Sequence, residues 1–265
     1  MARLYCLKNE KGFTLVELMV AVALTGLAVI GIYRAYVSFS QGADAQEQML
    51  ELQQNLRIGM YVLEGDIRRA GMNEEEDENA GFVVATSNRV QFTMDLTGGE
   101  ADGFDNDNDG GEDGLDPGND ENLYGDGDLL DAGEFLHYQR LDPDGDGIFG
   151  LYRNDENANP GGDGIEIITN VSALDFVYLD EDGTVLDFAL AGATAPVAGS
   201  LDAGQMNRIR AVQVSLVIQT TNEDYRYTNR EPYENLQATE IYRGPGDNLR
   251  RRILSKQIKI RNMGL

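Results

Sequence analysis

Phe13-Thr14-Leu15-Val16-Glu17-Leu18-Met19-Val20-Ala21-Val22-Ala23-Leu24-Thr25-Gly26-Leu27-Ala28-Val29-Ile30-Gly31-Ile32 is an apolar run broken by one charge, Glu17. At about 1.5 Å per residue it makes roughly 30 Å of helix, the thickness of a bilayer core. Residues 1–12 precede it, short and polar, with Arg3, Lys8 and Lys11 against Glu10. Basic residues on that side predict that it stays in the cytoplasm. An ordinary secretory signal fits poorly, because the run is too long and no small-x-small site closes it. A plain anchor leaves Glu17 unexplained, since a carboxylate inside an apolar helix is costly and usually functional.

The helix is expected to continue beyond the membrane. Residues 41–69 contain no proline and place Met49, Leu52, Leu56, Met60, Leu63 and Ile67 at steps of three and four, beside Glu47, Glu51 and Arg57. That spacing predicts an amphipathic helix with one face for a sheet. Gly26, Gly31, Gly42 and Gly59 are either soft points or places of close packing. Ala70-Gly71 is the expected end, where glycine suits a C-cap.

Beyond Gly71 the pattern turns to strands: 81–85, 89–94, 165–169, 173–179, 210–220 and 252–260. Residues 176–179 and 185–188 flank Asp180-Glu181-Asp182-Gly183, which predicts a hairpin. Alternation in 210–220 predicts a half-buried strand. A long helix followed by antiparallel strands is an α+β arrangement.

The chain has 265 residues and a formal net charge of −25, which opposes nucleic-acid binding and adhesion to anionic lipid and suits cations. One cysteine, Cys6, and one histidine, His137, exclude an internal disulfide, Cys/His zinc sites and Cys–His catalytic pairs. No nucleophile–base set, phosphate loop or cofactor fingerprint appears, so no enzymatic activity is expected. His137 is expected to be a packed or surface strand residue. Tyr225, Tyr227 and Tyr233 suit aromatic packing under a loop. The basic tail around Arg250-Arg251-Arg252, Lys256, Lys259 and Arg261 suits a solvated strand face or an acidic neighbour.

Lys11-Gly12-Phe13-Thr14-Leu15-Val16-Glu17-Leu18 resembles the processing site of type IV prepilins and pseudopilins. The resemblance implies cleavage between Gly12 and Phe13 by a prepilin peptidase, N-methylation of the new Phe13 amine, and a filament-assembly role for Glu17. In a bundle of such helices the Glu17 carboxylate and a neighbour's Phe13 amine are each costly alone in hydrocarbon and tolerable together. Residues 60–71, 208–214 and 251–262 are similar to the PilW-like minor pilins. The pilin fold is implied, with the division into a cleaved leader 1–12, a helix 13–71 crossing the membrane at about 13–33, and a β-rich domain 72–265. The implied life history is a single-pass bacterial inner-membrane protein with a periplasmic C-terminal domain, then a pilus subunit. Its implied partners are major and minor pilins through the helix. The implied function is a minor pilin that initiates or caps a pilus, with a minor pseudopilin of type II secretion or a calcium-dependent adhesin as alternatives.

Residues 102–146 form an acidic insertion with Arg140 as its one basic residue of the Lys or Arg kind. Asp105-Asn106-Asp107-Asn108-Asp109-Gly110 matches the first half of an EF-hand-type loop, with Asp116 at the twelfth position. Asp142-Pro143-Asp144-Gly145-Asp146-Gly147 matches another first half, with Arg153 at the twelfth. Asp126, Asp128, Asp131 and Glu134 resemble a second half. Hard cations prefer oxygens on glycine-rich turns, so calcium is the expected ion, against the bland alternative of a solvated acidic loop.

Overall fold

A computed structural model describes residues 12–72, 80–95, 129, 133–188 and 199–263. Helix α1 runs Leu15–Arg69. The chain divides into two units, one up to Glu47 and one from Gln48 onward.

In the first unit every described residue from 12 to 36 is exposed, and Leu15, Leu18, Leu24, Leu27 and Ile32 all present more than half of their surface. The helix is long and apolar enough there to cross a membrane. In the second unit the same helix is amphipathic. Leu52, Leu56, Met60, Leu63 and Ile67 are buried in the main core, while Met49 is half-buried. The steps of three and four therefore mark the packed stripe. At Gly59 an added Cβ would lie 2.8 Å from Ile168 Cδ1 and 3.2 Å from Leu216 Cδ2, so here glycine permits close approach of helix and sheet. Gly26, Gly31 and Gly42 meet nothing within 4 Å. Gly59→Val should lower stability by about 1–3 kcal/mol through overpacking, read as a lower Tm, whereas Gly42→Val should leave it nearly unchanged. The helix ends at Gly71, whose φ of +72° is the left-handed C-cap conformation.

One sheet is five-stranded and antiparallel in sequence order: β1 Phe82–Ala85, β2 Arg89–Thr93, β3 Phe135–Leu141, β4 Gly150–Asp155 and β5 Ile165–Ile168. The stretch 102–146, expected to be an acidic loop insertion, is not all loop: it contains β3, which lies between β2 and β4 inside the sheet, and its last residues belong to the loop between β3 and β4. The second sheet has the order β10 (Arg251–Lys259), β7 (Ala211–Gln219), β6 (Val171–Leu179). A short helix α2, Ala203–Met206, starts with a capping box between Asp202 and Gln205. A two-stranded hairpin, β8 Pro232–Glu234 and β9 Glu240–Arg243, completes the set.

Three further expectations change. The strand at 210–220 is not half-buried. β7 lies between β10 and β6, and its residues Ala211 to Ile218 are all buried. Val212, Val214, Leu216 and Ile218 enter the main core, and Val217 packs with Tyr233 of β8 on the other face. The hairpin across residues 180–183 is only a single bridge, Leu179 to Val185. β6 takes β7 as its partner instead, along eight register pairs from Val171 to Leu179. Arg251 is not a solvated residue. It is buried, and its guanidinium meets both Asp247 carboxylate oxygens at 2.6 Å and Gln219 Oε1 at 2.7 Å.

Candidate functional site

The helix start is built from Thr14 and Glu17. Thr14 N and Oγ1 both donate to Glu17 Oε2 at 2.9 Å, and Glu17 N donates to Thr14 Oγ1 at 3.2 Å. This is a reciprocal capping box, with Thr14 as N-cap and Glu17 three residues on. The Thr-x-x-Glu spacing ahead of an apolar run is its sequence signal. Glu17 thus has a local partner, which lowers the cost of holding a carboxylate in an apolar helix. Its Oε1 accepts no hydrogen bond among the described residues. Phe13 is 91% exposed and immediately precedes the cap. An amine created on Phe13 would sit one residue from the group that positions Glu17.

The far end of α1 is fastened by a cluster that periodicity could not reveal. Asp66 is buried on the helix. Its Oδ2 accepts from the Tyr138 hydroxyl of β3 and, at 2.7 Å, from Arg153 Nε of β4. Its Oδ1 accepts from Arg69 Nη2 at 2.5 Å. Burial alone would raise the Asp66 carboxyl, but the bonds from Tyr138 and Arg153, with Arg153's charge and Arg69, hold it below the ordinary aspartate value. Burial and the nearby Asp66 charge raise the Tyr138 hydroxyl. Burial would lower Arg153, but its Asp66 partner raises it overall.

The candidate cation residues divide into groups. Asp105, Asp107, Asp109, Asp116, Asp126, Asp128 and Asp131 lie outside the described residues. Glu134 is buried immediately before β3. Asp142, Asp144 and Asp146 follow β3 at its other end, roughly 25 Å along the chain at ~3.3 Å per residue, so Glu134 joins a different place. Those three aspartates occupy the loop between β3 and β4, and one carboxylate oxygen from each lies within 4.8 Å of the others. Asp142 accepts from Gly145 N at 2.9 Å and Gly147 N at 3.0 Å, and Asp146 from Ile148 N at 2.7 Å. Gly145 and Gly147 have φ of +72° and +86°, which glycine adopts freely. Hard oxygens on such a turn suit calcium. The twelfth position, Arg153, lies in β4 and is committed to Asp66, which explains why an EF-hand second half is missing here.

His137 is packed, as expected, with Nδ1 against Glu156 Oε1 and Nε2 2.9 Å from Gln139. Burial holds the imidazole below its usual value despite the raising influence of Glu156. Of the three tyrosines, Tyr233 is buried and Tyr227 lies under the Arg250 guanidinium, while Tyr225 is exposed.

Residues 7–33 match the family described as the prokaryotic N-terminal methylation motif. Residues 142–262 match the family described as Type IV Pilus-assembly protein W. Among solved structures, a type IV-like pilin, TTHA1219 from Thermus thermophilus, aligns at 13% identity with a TM-score of 0.45, covering 81% of this chain and 100% of that one. No curated protein matches the chain. One family match falls on the capped apolar helix start and the other on the loop of Asp142, Asp144 and Asp146 with the strands that follow it, and over these two stretches the chain is type IV pilin-like.

Proposed function

We propose that this protein is a minor pilin that enters a type IV pilus through α1 and helps to initiate or cap it. The bare apolar helix from residue 12 to 36, opening on Gly12, Phe13 and a capped Glu17, carries this reading. So much uncovered apolar surface requires lipid before assembly and other helices afterwards. Prepilin peptidase cuts between Gly12 and Phe13, and the new amine is methylated. The basic leader stays cytoplasmic and the β-rich domain is periplasmic. The match to Type IV Pilus-assembly protein W supports the pilus over a secretion apparatus. Mass spectrometry of the N-terminal peptide from the native host should show a mature chain beginning at methylated Phe13. A terminus beyond Ile32 would overturn the reading.

The loop of Asp142, Asp144 and Asp146 binds calcium in this proposal, supported by the convergence of their oxygens. An ion held there ties the turn between β3 and β4. Affinity is expected at roughly 10⁻⁴–10⁻³ M, as in extracellular modules. The full chain in detergent should melt higher in millimolar calcium than in chelator, with magnesium doing much less. The gain would be about 2.7 kcal/mol at a hundredfold excess over Kd. Asp142→Asn with Asp144→Asn and Asp146→Asn should shrink the shift. An unchanged Tm on adding calcium to the wild type would exclude the ion.

A further inference from the structure

Near the C-terminal end of α1 the structure holds a groove of about 800 Å³ whose charge runs against that of the chain. Arg68 from the helix, Arg210 from the segment before β7, and Lys259 and Arg261 from the end of β10 line one part of it. Lys259 and Arg261 are exposed and have no carboxylate partner among the described residues. Arg210 Nη1 donates only to the carbonyls of Asn207, at 2.7 Å, and Ile209, at 3.0 Å, so its charge is also uncompensated. Arg68 pairs with Glu64, but Glu64 is shared with Lys256. One carboxylate thus answers two cations beside three that have none. With Asp180, Glu181 and Asp182 also in the lining, the groove carries four cations against three carboxylates, a positive balance in a chain of net charge −25.

Edge protection does not account for it. Charged side chains on an outer strand do discourage pairing with a foreign strand, and β10 is such a strand. Arg68 and Arg210 lie off that strand yet line the same groove.

The opposite wall is the turn of Asp180, Glu181 and Asp182. Asp180 is fully engaged: Oδ2 accepts from Arg208 Nη2 at 2.9 Å, and Oδ1 from the main-chain N–H groups of Asp182 and Thr184 at 3.1 and 2.9 Å. Glu181 and Asp182 remain exposed on the rim. That mixed rim tolerates a polypeptide, whose charges are spaced and interrupted, better than a polyanion with a charge at every unit. Among the described residues no aromatic ring lines the groove to stack a base.

We propose that this groove binds an acidic polypeptide segment presented by a neighbouring chain. The side-chain carboxylates pair with Arg210, Lys259 and Arg261, and bidentate geometry at the two arginines fixes their placement. That the neighbour is a subunit of the same filament rests on the pilin reading above. The binding chemistry does not, so loss of a Phe13 terminus would leave it standing.

The test uses the full chain in detergent and a fluorescein-labelled oligoglutamate peptide, read by anisotropy at low salt. Wild-type protein should bind it and should not bind an oligoglutamine peptide of equal length. Arg210→Glu with Lys259→Glu should weaken binding about tenfold or more, since each reversal replaces an attraction by a repulsion. Arg261→Glu alone, at an exposed position near the chain end, should weaken it severalfold and guards against misfolding of the double variant. Arg252→Glu, on β10 but outside the groove, should change it little. Equal binding by wild type and double variant, absence of oligoglutamate binding, or tighter binding of a single-stranded oligodeoxynucleotide would each overturn the proposal.

Discussion

Asp66→Ala should destabilise the unit beginning at Gln48 by about 3–5 kcal/mol, the usual penalty for removing one partner of a buried ion pair. The substitution leaves the Arg153 charge and the Tyr138 hydroxyl without their shared acceptor, between a helix and two strands. For about two hundred residues this corresponds to a fall in Tm of roughly 6–20 °C. Asp66→Asn keeps the shape and one acceptor, so it should cost clearly less. Acid should reproduce the effect. The folded Asp66 titrates below the unfolded carboxyl, so its contribution is complete above the unfolded value of about 3.9 and is lost as pH falls through the lower folded value. Thermal melts from pH 6 downward should therefore show a drop in wild type below about pH 4 that is smaller in Asp66→Ala. Equal acid sensitivity in the two proteins would show that Asp66 is not a fastening point.

Glu17→Ala should leave membrane insertion intact while reducing incorporation into filaments severalfold or more. Removing a charge from an apolar helix eases insertion, because a carboxylate there is unfavourable by about 2.5–3.5 kcal/mol on insertion scales. The capping box adds a control. Thr14→Ala removes the hydroxyl that both donates to and accepts from the Glu17 side of the cap, yet leaves the carboxylate in place. It should fray the helix start by about 0.5–2 kcal/mol and should disturb assembly less than Glu17→Ala does. Immunoblots of sheared filaments against membrane fractions measure both. Glu17→Ala protein at wild-type levels in filaments would mean that the carboxylate serves the cap alone.

Several elements were legible because their periods are set by one chain segment. The apolar run, the packed stripe from Leu52 to Ile67 and the stop at Gly71 follow from residue size, spacing and glycine's freedom at positive φ. Strands β1, β2, β5, β6, β7 and β10 were found within one or two residues of their bounds. β3 falls inside the stretch expected to be an acidic loop, where only the run around His137 reads as strand, and β4, β8 and β9 were missed. β4 reads Gly-Leu-Tyr-Arg-Asn-Asp, with a polar second half, and is a strand because β3 and β5 supply its ladders. β8 is three residues long and opens on proline.

The sequence by itself determined the α+β class, the membrane-length helix, the helix-start motif and the sign of the charge on the insertion. All of these are properties of consecutive residues, fixed by backbone period and composition. The tertiary structure decided what no local pattern encodes. It put Asp66 between Tyr138 and Arg153, 72 and 87 residues away in the chain, and so made this helix carboxylate a buried fastening. It buried both faces of β7 by laying α1 on one side and Tyr233 on the other. It buried Arg251 against Asp247 and gathered Arg68, Arg210, Lys259 and Arg261 from three separate segments around one groove. The physical reason is that a charged side chain's state depends on which distant partner desolvates or neutralises it, and that partner is chosen by packing rather than by sequence neighbours.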